Sequence, residues 1–563
     1  MRRLLFALAI AIITCANFIF APLSQTKASS PQDTSRNNNG KRSAAGKPGQ
    51  PSLIVMIAVD QLRGDLLERY RTAFTGGFKR LLDQGLRFSR ATVDHAPTNS
   101  YPGHVTLATG AFPGRHGIID NSWAERVGNR LAYVGGADDP DEQIVGFPKL
   151  RGVSPRKLLV TGLADWVLQA DPQAQVVNIG AGEYSSLLHA GKTRSHTYWF
   201  SPEAGRYVTS TYYRGAYPEW VERFNKETLP RYMAQKVWDN SVPLKDRALA
   251  LPDKAAYEFD GVHTTFPHLF QNEVSKEQLN DAAAFADWFY FSPMLDASAF
   301  ALTREAVGSL SLGKRGHTDY LSLVLSSTDS IGHRYGPISL EQLDNLLRLD
   351  KELGEFFGFL DREVGEGRYT VALSADHGAA EVPEYQKEMG KNGRRITEKD
   401  MDALLGDLKE AIANPSESPQ ERSRRAAVLA EKYDFIADAM TSDELSGGKP
   451  GSMFMELYRN SFYPGRTPVY PIVSRKYPSL AVYDIRVRLA EGAVPYFAPS
   501  NHGSPYFYDR NVALIFMGPG IRKGVSTARA RTVDVAPTLA QLGNIAVPAR
   551  VDGRSLSGAL RKR

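Results

Sequence analysis

The sequence predicts an α/β fold: a mostly parallel central sheet with helices on both faces, carrying inserted cap segments. Continuous apolar runs recur at residues 53–59 (LIVMIAV), 320–325 (YLSLVL), 369–373 (YTVAL) and 512–517 (VALIFM), as they do in strands buried on both faces. Between the second and third runs, Leu343, Leu346, Leu347, Leu353, Phe356, Phe357 and Leu360 recur at helical spacing across residues 340–364. Strand, helix, strand in that order is the βαβ unit of a parallel sheet.

Each remaining segment has its own signature. Arg2-Arg3 followed by an apolar stretch and Thr26-Lys27-Ala28 reads as a signal peptide over residues 1–28. Residues 29–51 (SSPQDTSRNNNGKRSAAGKPGQP) are polar, punctuated by Gly and Pro and aperiodic, the composition of a flexible linker. The α/β core is expected over residues 52–384 and 500–563. Two stretches break its rhythm and are expected as caps. Residues 195–290 are rich in Tyr, Trp and Phe, and residues 385–499 open on charged helical sequence (EKDMDALLGDLKEAI) and close on Pro and Tyr.

Composition narrows the function. With 42% apolar and 23% charged residues the chain is no disordered polymer. Its net charge of +6 is carried entirely by residues 1–51, which hold seven cations and one anion. The neutral remainder lacks the bulk basic surface that sequence-independent nucleic-acid binding requires. The single cysteine, Cys15, falls inside the leader, so the mature chain has no thiol for disulfides, catalysis or metal binding. No later apolar run is long enough to span a bilayer. The expectation is an exported protein, periplasmic or secreted, with no membrane span after cleavage; nothing in the sequence fixes an oligomeric state.

The strand ends carry the chemistry. Val59 is followed by Asp60, the YLSLVL run leads to Asp329, and the YTVAL run leads to Asp376-His377. In open α/β sheets, ligands bind beyond the carboxyl ends of the strands, so topology alone gathers three carboxylates and an imidazole. Asp329 and His333 are four apart, on one face of any helical turn. His502 arrives later, in SNHGSP. A lone Asp after a strand is ordinarily a turn or cap residue, but three Asp with three His on this pattern form a ligand set. Mixed carboxylate and imidazole donors suit zinc or a similar first-row ion. Six ligands suffice for two ions that keep open positions for substrate.

The remaining motifs are PTNSYPGH (residues 97–104) and HGIIDN (residues 116–121). Together with VDQLR, SSTDSIGHRYGP, LSADHGAAEVPE and NHGSPY they give the chain a family. From about Leu53 to the VDVAPTLAQLGN…VDGRSL segment it resembles the alkaline phosphatase superfamily. Within it, the sequence is similar to the type I phosphodiesterase/nucleotide pyrophosphatase-like branch and the secreted zinc monoesterases close to it. The resemblance implies two zinc ions, one held by Asp329, His333 and His502 and the other by Asp60, Asp376 and His377. It places Ser100 at the nucleophile position, where the branch normally carries Thr, and Asn121 as donor to a phosphoryl oxygen. His104 and His116 belong to the motifs but not to the ligand pattern, and structural roles are expected for them. The implied substrates are small-molecule phosphate esters, with attack by Ser100 giving a phosphoseryl intermediate. Zinc lowers the pKa of bound water to about 7, and the same Lewis acidity can hold a serine alkoxide.

One departure bears on substrate. The similar secreted monoesterases carry a Lys-x-Arg pair that contacts the doubly charged phosphate, and here Gly182 and Tyr184 stand at those substrate-binding positions. Loss of two cations favours a phosphodiesterase-type activity as the alternative to a monoesterase; Arg63, Arg115 and Lys192 are the cations available to compensate. A sulfatase is disfavoured because His104 replaces the Arg of the Ser-x-Pro-x-Arg signal. A cytosolic phosphoglycerate mutase conflicts with the leader, and an inactive zinc-binding module conflicts with the complete set of nucleophile, donor and ligands.

Overall fold

The structure is a computed structural model describing residues 50–561 apart from 128–129, 412–415, 449–450 and 469–483. The expected signal peptide, Cys15 and nearly all of the expected linker lie outside the described residues. The linker's last two residues are anchored: the Gln50 side chain donates to the Gly543 carbonyl (2.8 Å) and the Pro51 carbonyl accepts from Thr318 Oγ1 (2.9 Å).

The central sheet has nine strands among the described residues. In chain order they are β1 (Leu53–Val59), β2 (Leu86–Thr92), β3 (Val176–Gly180), β4 (His196–Ser201), β5 (Arg206–Val208), β6 (Asp319–Leu325), β7 (Tyr369–Ser374), β8 (Leu514–Met517) and β9 (Gly524–Arg531). Their spatial order is β9-β2-β8-β7-β1-β6-β3-β4-β5. The pairings within β7-β1-β6-β3-β4 are all parallel, as is β9 with β2. The mostly parallel α/β architecture is therefore present, with β1 at its centre and every β1 side chain buried.

Two details differ from expectation. The fourth apolar run, β8, pairs antiparallel with both neighbours. The physical reason is the route of the chain: Leu514 lies opposite Ser374 at the carboxyl end of β7, so β8 enters at the edge where β7 leaves and must run back. The second concerns residues 195–290, whose opening part forms β4 and β5 at the sheet edge. Their alternation of buried aromatics (Tyr198, Phe200, Tyr207) packs into the main core.

The long helix Leu340–Leu360 buries its Leu/Phe stripe in the main core, beside the helices Gly77–Gln84, Pro293–Ser309 and Ser327–Tyr335. Residues 385–499 include a smaller core of their own, built from Ile396, Leu404, Leu405, Leu408, Phe435, Ile485 and Val487. That segment also reaches back: its strand Arg466–Pro468 pairs with Ser122–Val127, which forms a hairpin with Arg130–Gly135. Asn121 immediately precedes this hairpin. No helix among the described residues is long and apolar enough to cross a membrane.

Candidate active site and metal centre

The parallel register brings the carboxyl ends of β1, β6 and β7 level. Val59 lies opposite Leu325 and Ala58 opposite Ser374, so Asp60, the Ser326 turn and Asp376-His377 leave the sheet together. Asp329 and His333 occupy the first and last turns of the helix Ser327–Tyr335, where the helix dipole favours an acid and a base respectively. Asp296 fixes the start of that helix by accepting from the backbone N–H groups of Ser326 (3.0 Å) and Ser327 (3.2 Å).

Two trios of potential ligands result, and in each the donor atoms lie within 4.8 Å of one another. Asp60, Asp376 and His377 form a fully buried trio, with His377 Nε2 3.4 Å from Asp60 Oδ1 and 3.2 Å from Asp376 Oδ2. Asp329, His333 and His502 form a second at the mouth, with Asp329 Oδ1 3.3 Å from His333 Nε2 and 3.7 Å from His502 Nε2.

All three histidines turn Nδ1 to a backbone carbonyl: His377 to Gly378 (3.0 Å), His333 to Ser500 (2.9 Å) and His502 to Thr98 (2.8 Å). Nδ1 therefore carries the proton and Nε2 faces the carboxylates, the arrangement of metal-binding imidazoles. Burial pushes His377 and His502 well below the ordinary histidine range, so both are neutral. Burial, then the Asp60 carboxylate, pushes Asp376 well above the carboxylate range. A neutral nitrogen lone pair 3.2 Å from a buried carboxyl oxygen has place for one positive charge between them, a proton in the metal-free protein or a metal ion when one is bound. The donor set fits a zinc-like ion at each trio.

Ser100 opens the helix Ser100–Thr109, with Asn99 as N-cap. Its Oγ lies 3.2 Å from His377 Nε2 at the positive end of the helix dipole, which favours an anion. Gly103 makes this placement possible, because a Cβ there would come within 2.7 Å of Asp376. Asn121 is exposed, and its Oδ1 accepts from the backbone N–H of Tyr101 (3.0 Å), the residue after Ser100. The loop bearing His502 is knitted to this segment: Thr98 Oγ1 donates to the Ser504 carbonyl (2.9 Å) and accepts from the Gly503 N–H.

The type I phosphodiesterase / nucleotide pyrophosphatase family matches this sequence over residues 54–477. The chain belongs to that family. It is a phosphoric ester hydrolase of the alkaline phosphatase superfamily. Alkaline phosphatase PhoV of Synechococcus elongatus is 29% identical over 528 residues, covering 91% of this chain and 93% of PhoV. Alkaline phosphatase PafA of Elizabethkingia meningoseptica is 31% identical over 530 residues, covering 90% of this chain and 94% of PafA. The crystal structure of wild-type PafA superposes with a TM-score of 0.79 at 26% identity, covering 90% of this chain and 98% of that one.

Other motif residues of this family member fall as follows. His116 accepts from the Ile118 N–H at Nδ1 (3.2 Å) and sits 3.3 Å from Thr106 Oγ1 at Nε2, tying the HGII turn to the Ser100 helix. His104 is closer to the chemistry than a purely structural role implies, with Nε2 3.4 Å from Asp376 Oδ2 and 3.6 Å from Asp60 Oδ2. Gly182 is buried and its carbonyl accepts from the Ser186 N–H (3.4 Å); the Tyr184 side chain lies outside the described residues. Of the cations named as substitutes, Arg63 is buried and bound to Asp65, Glu381 and the Ala379 carbonyl, and Arg115 is paired with Asp552.

Two residues without a role in the sequence reading stand out. Arg151 pairs with Glu183 (2.6 Å) and with Asp138, and Glu183 also accepts from Tyr101 OH (3.0 Å). This places a guanidinium beside the segment that carries Gly182 and Tyr184, and only tertiary structure brings residues 151 and 183 together. The other is Gln61, which contacts both trios. Its place inside VDQLR was the available signal.

Proposed function

We propose that this chain is an exported, two-zinc phosphate-ester hydrolase acting through a phosphoseryl intermediate on Ser100. The observation that carries the reading is the pair of adjoining Asp/His trios, joined by the His377–His502 stack, with His377 against a serine at a helix N-terminus. Asp329, His333 and His502 would hold one ion and Asp60, Asp376 and His377 the other. The ions would supply Lewis acidity to lower the serine pKa and to offset charge on the reacting oxygens.

The chain's own residues do the rest. The helix Ser100–Thr109 places Oγ at the positive end of its dipole, which favours an anion there. Asn121, held through Oδ1 by the Tyr101 N–H, presents Nδ2 to an equatorial phosphoryl oxygen. The carbonyls of Gly378, Ser500 and Thr98 keep each imidazole in the tautomer that leaves Nε2 free. Attack by Ser100 Oγ on phosphorus forms the O–P bond, the leaving alcohol departs with its oxygen, and water hydrolyses the phosphoserine to inorganic phosphate.

The names of PhoV and PafA favour phosphate monoesters. A phosphodiesterase reading is favoured by one specific feature, Gly182 and Tyr184 at the positions of the Lys-x-Arg pair. The deciding experiment compares purified protein on aryl phosphate monoester, diester and sulfate substrates, before and after chelation. Turnover of a phosphate ester that chelation abolishes and zinc restores is expected. Chelator-resistant turnover, or sulfate as the best substrate, overturns the proposal.

A further inference from the structure

Gln61 follows Asp60 directly and is 1% exposed. Its backbone N–H donates to Asp376 Oδ1 (3.2 Å) and its side-chain Nε2 donates to Asp329 Oδ1 (2.6 Å). One residue thus holds an aspartate of the buried trio, holds an aspartate of the mouth trio, and is covalently joined to a third ligand. We infer that Gln61 is a positioning residue that fixes the two metal trios relative to each other; the inference rests on the two-metal reading.

Three features single out this residue for that task. First, its backbone has φ 65°, the left-handed region that side-chain-bearing residues seldom occupy outside functional sites. A glycine would adopt it freely, so the side chain must be present for a purpose other than the turn. Second, the amide orientation follows from chemistry: an ionised Asp329 only accepts, so NH₂ must face it. Third, Oε1 consequently lies over Gly332, where a Cβ would come within 1.9 Å of it. Gly332 sits between Asp329 and His333, so the ligand helix is notched where the Gln61 amide passes.

The consequence is geometric. Asp329 Oδ1, the atom that Gln61 grips, is also the one nearest the two imidazoles of the mouth trio. On Asp376 the N–H of Gln61 occupies Oδ1 and leaves Oδ2 toward His377. Removing the amide frees the Asp329 carboxylate to rotate and loosens the mouth trio.

The test uses three variants of the mature protein: Gln61→Gly, which removes strain and amide together; Gln61→Asn, which tolerates the left-handed backbone but falls short of Asp329; and Gly332→Ala, which displaces the amide while keeping Gln61. Zinc dissociation constants of the two sites are measured by competition with a chromogenic chelator, alongside Tm of the metal-free protein. Outer hydrogen-bond partners of metal ligands typically matter tenfold to a hundredfold in affinity. Gln61→Gly is expected to keep or raise the metal-free Tm while weakening one zinc constant by at least about tenfold, and the other two variants should weaken the same constant. Wild-type zinc constants in either folded Gln61 variant overturn the inference. A wild-type protein that binds fewer than two ions overturns the two-metal reading instead.

Discussion

His377 of the buried trio stacks on His502 of the mouth trio, with ring centroids 3.6 Å apart and planes 17° apart. Two imidazolium rings would repel at that separation, and burial pushes both groups well below the ordinary range. The stack is therefore a contact between neutral rings, the form that binds metal. It also means that the two trios share a wall, so a change in one ring's position is felt by the other.

His333 behaves differently, and its proton is the basis of a first prediction. Burial alone would lower it, but the Asp329 carboxylate outweighs burial and lifts it to about 9. In the metal-free protein this raised value stabilises the fold fully below the unfolded histidine value near 6.5, and the contribution is lost as pH rises through about 9. A zinc ion must displace that proton, so affinity at the mouth trio should rise about tenfold per pH unit between pH 7 and 9. Titration calorimetry at pH 7.5 in buffers of different ionisation enthalpy should show close to one proton released from His333. Binding at this trio with no proton release would mean that His333 is not a ligand.

Much of this site is readable in the sequence because it is built on strand ends. Apolar runs locate β1, β6 and β7, and residues just beyond such runs share one edge by topology, so Asp60, Asp329, Asp376 and His377 follow from pattern. The spacing of Asp329 and His333 survives as a helical turn. What the pattern does not carry is contact between distant segments. The direction of β8 depends on how the chain returns from residues 500–511, the Arg151–Glu183 pair joins two loops, and Gln61 draws its meaning from a backbone angle. His104 lies outside the ligand pattern that the resemblance implies, and its nearness to Asp60 and Asp376 comes with the close approach of Gly103 to Asp376, which spacing in the sequence does not carry.

Ser100 carries the second prediction. Its Oγ sits against His377 Nε2, yet its removal leaves both trios intact. Ser100→Ala should bind two zinc ions with an unchanged Tm and lose at least about a thousandfold in kcat, in line with the removal of other catalytic nucleophiles. Ser100→Thr should retain measurable turnover, since it keeps a hydroxyl at the helix N-terminus. Near-wild-type turnover in the alanine variant would show that water attacks directly.

Asn121 tests transition-state stabilisation separately from metal binding. Among the described residues its side chain is held through Oδ1 alone, and the residue is exposed, so truncation costs little stability. Loss of one donor to a developing oxyanion typically costs roughly a hundredfold to a thousandfold in kcat. Asn121→Ala should show a loss of that order with zinc content and Tm unchanged. A variant that instead raises KM alone would place Asn121 in ground-state binding.

The last prediction concerns substrate choice at the segment bearing Gly182 and Tyr184. A phosphate monoester brings about two negative charges at pH 8, because its second pKa lies near 6, whereas a diester brings only one. Fixed cations beside the non-bridging oxygens therefore favour the monoester. The cation found nearby, Arg151, already serves Glu183 and Asp138, so much of its charge is answered by protein carboxylates. Charge-assisted hydrogen bonds are worth roughly 1.5–3 kcal/mol each, and about 1.4 kcal/mol is a tenfold change in rate. Gly182→Lys combined with Tyr184→Arg should raise the monoester-to-diester ratio of kcat/KM by at least about tenfold, with zinc content and Tm as controls for folding. The unmodified protein should correspondingly turn over diesters at a rate that is not negligible beside monoesters. A strong monoester preference that the double variant leaves unmoved would show that the charge comes from elsewhere. In that case Arg151→Ala should lower kcat/KM for the monoester more than for the diester.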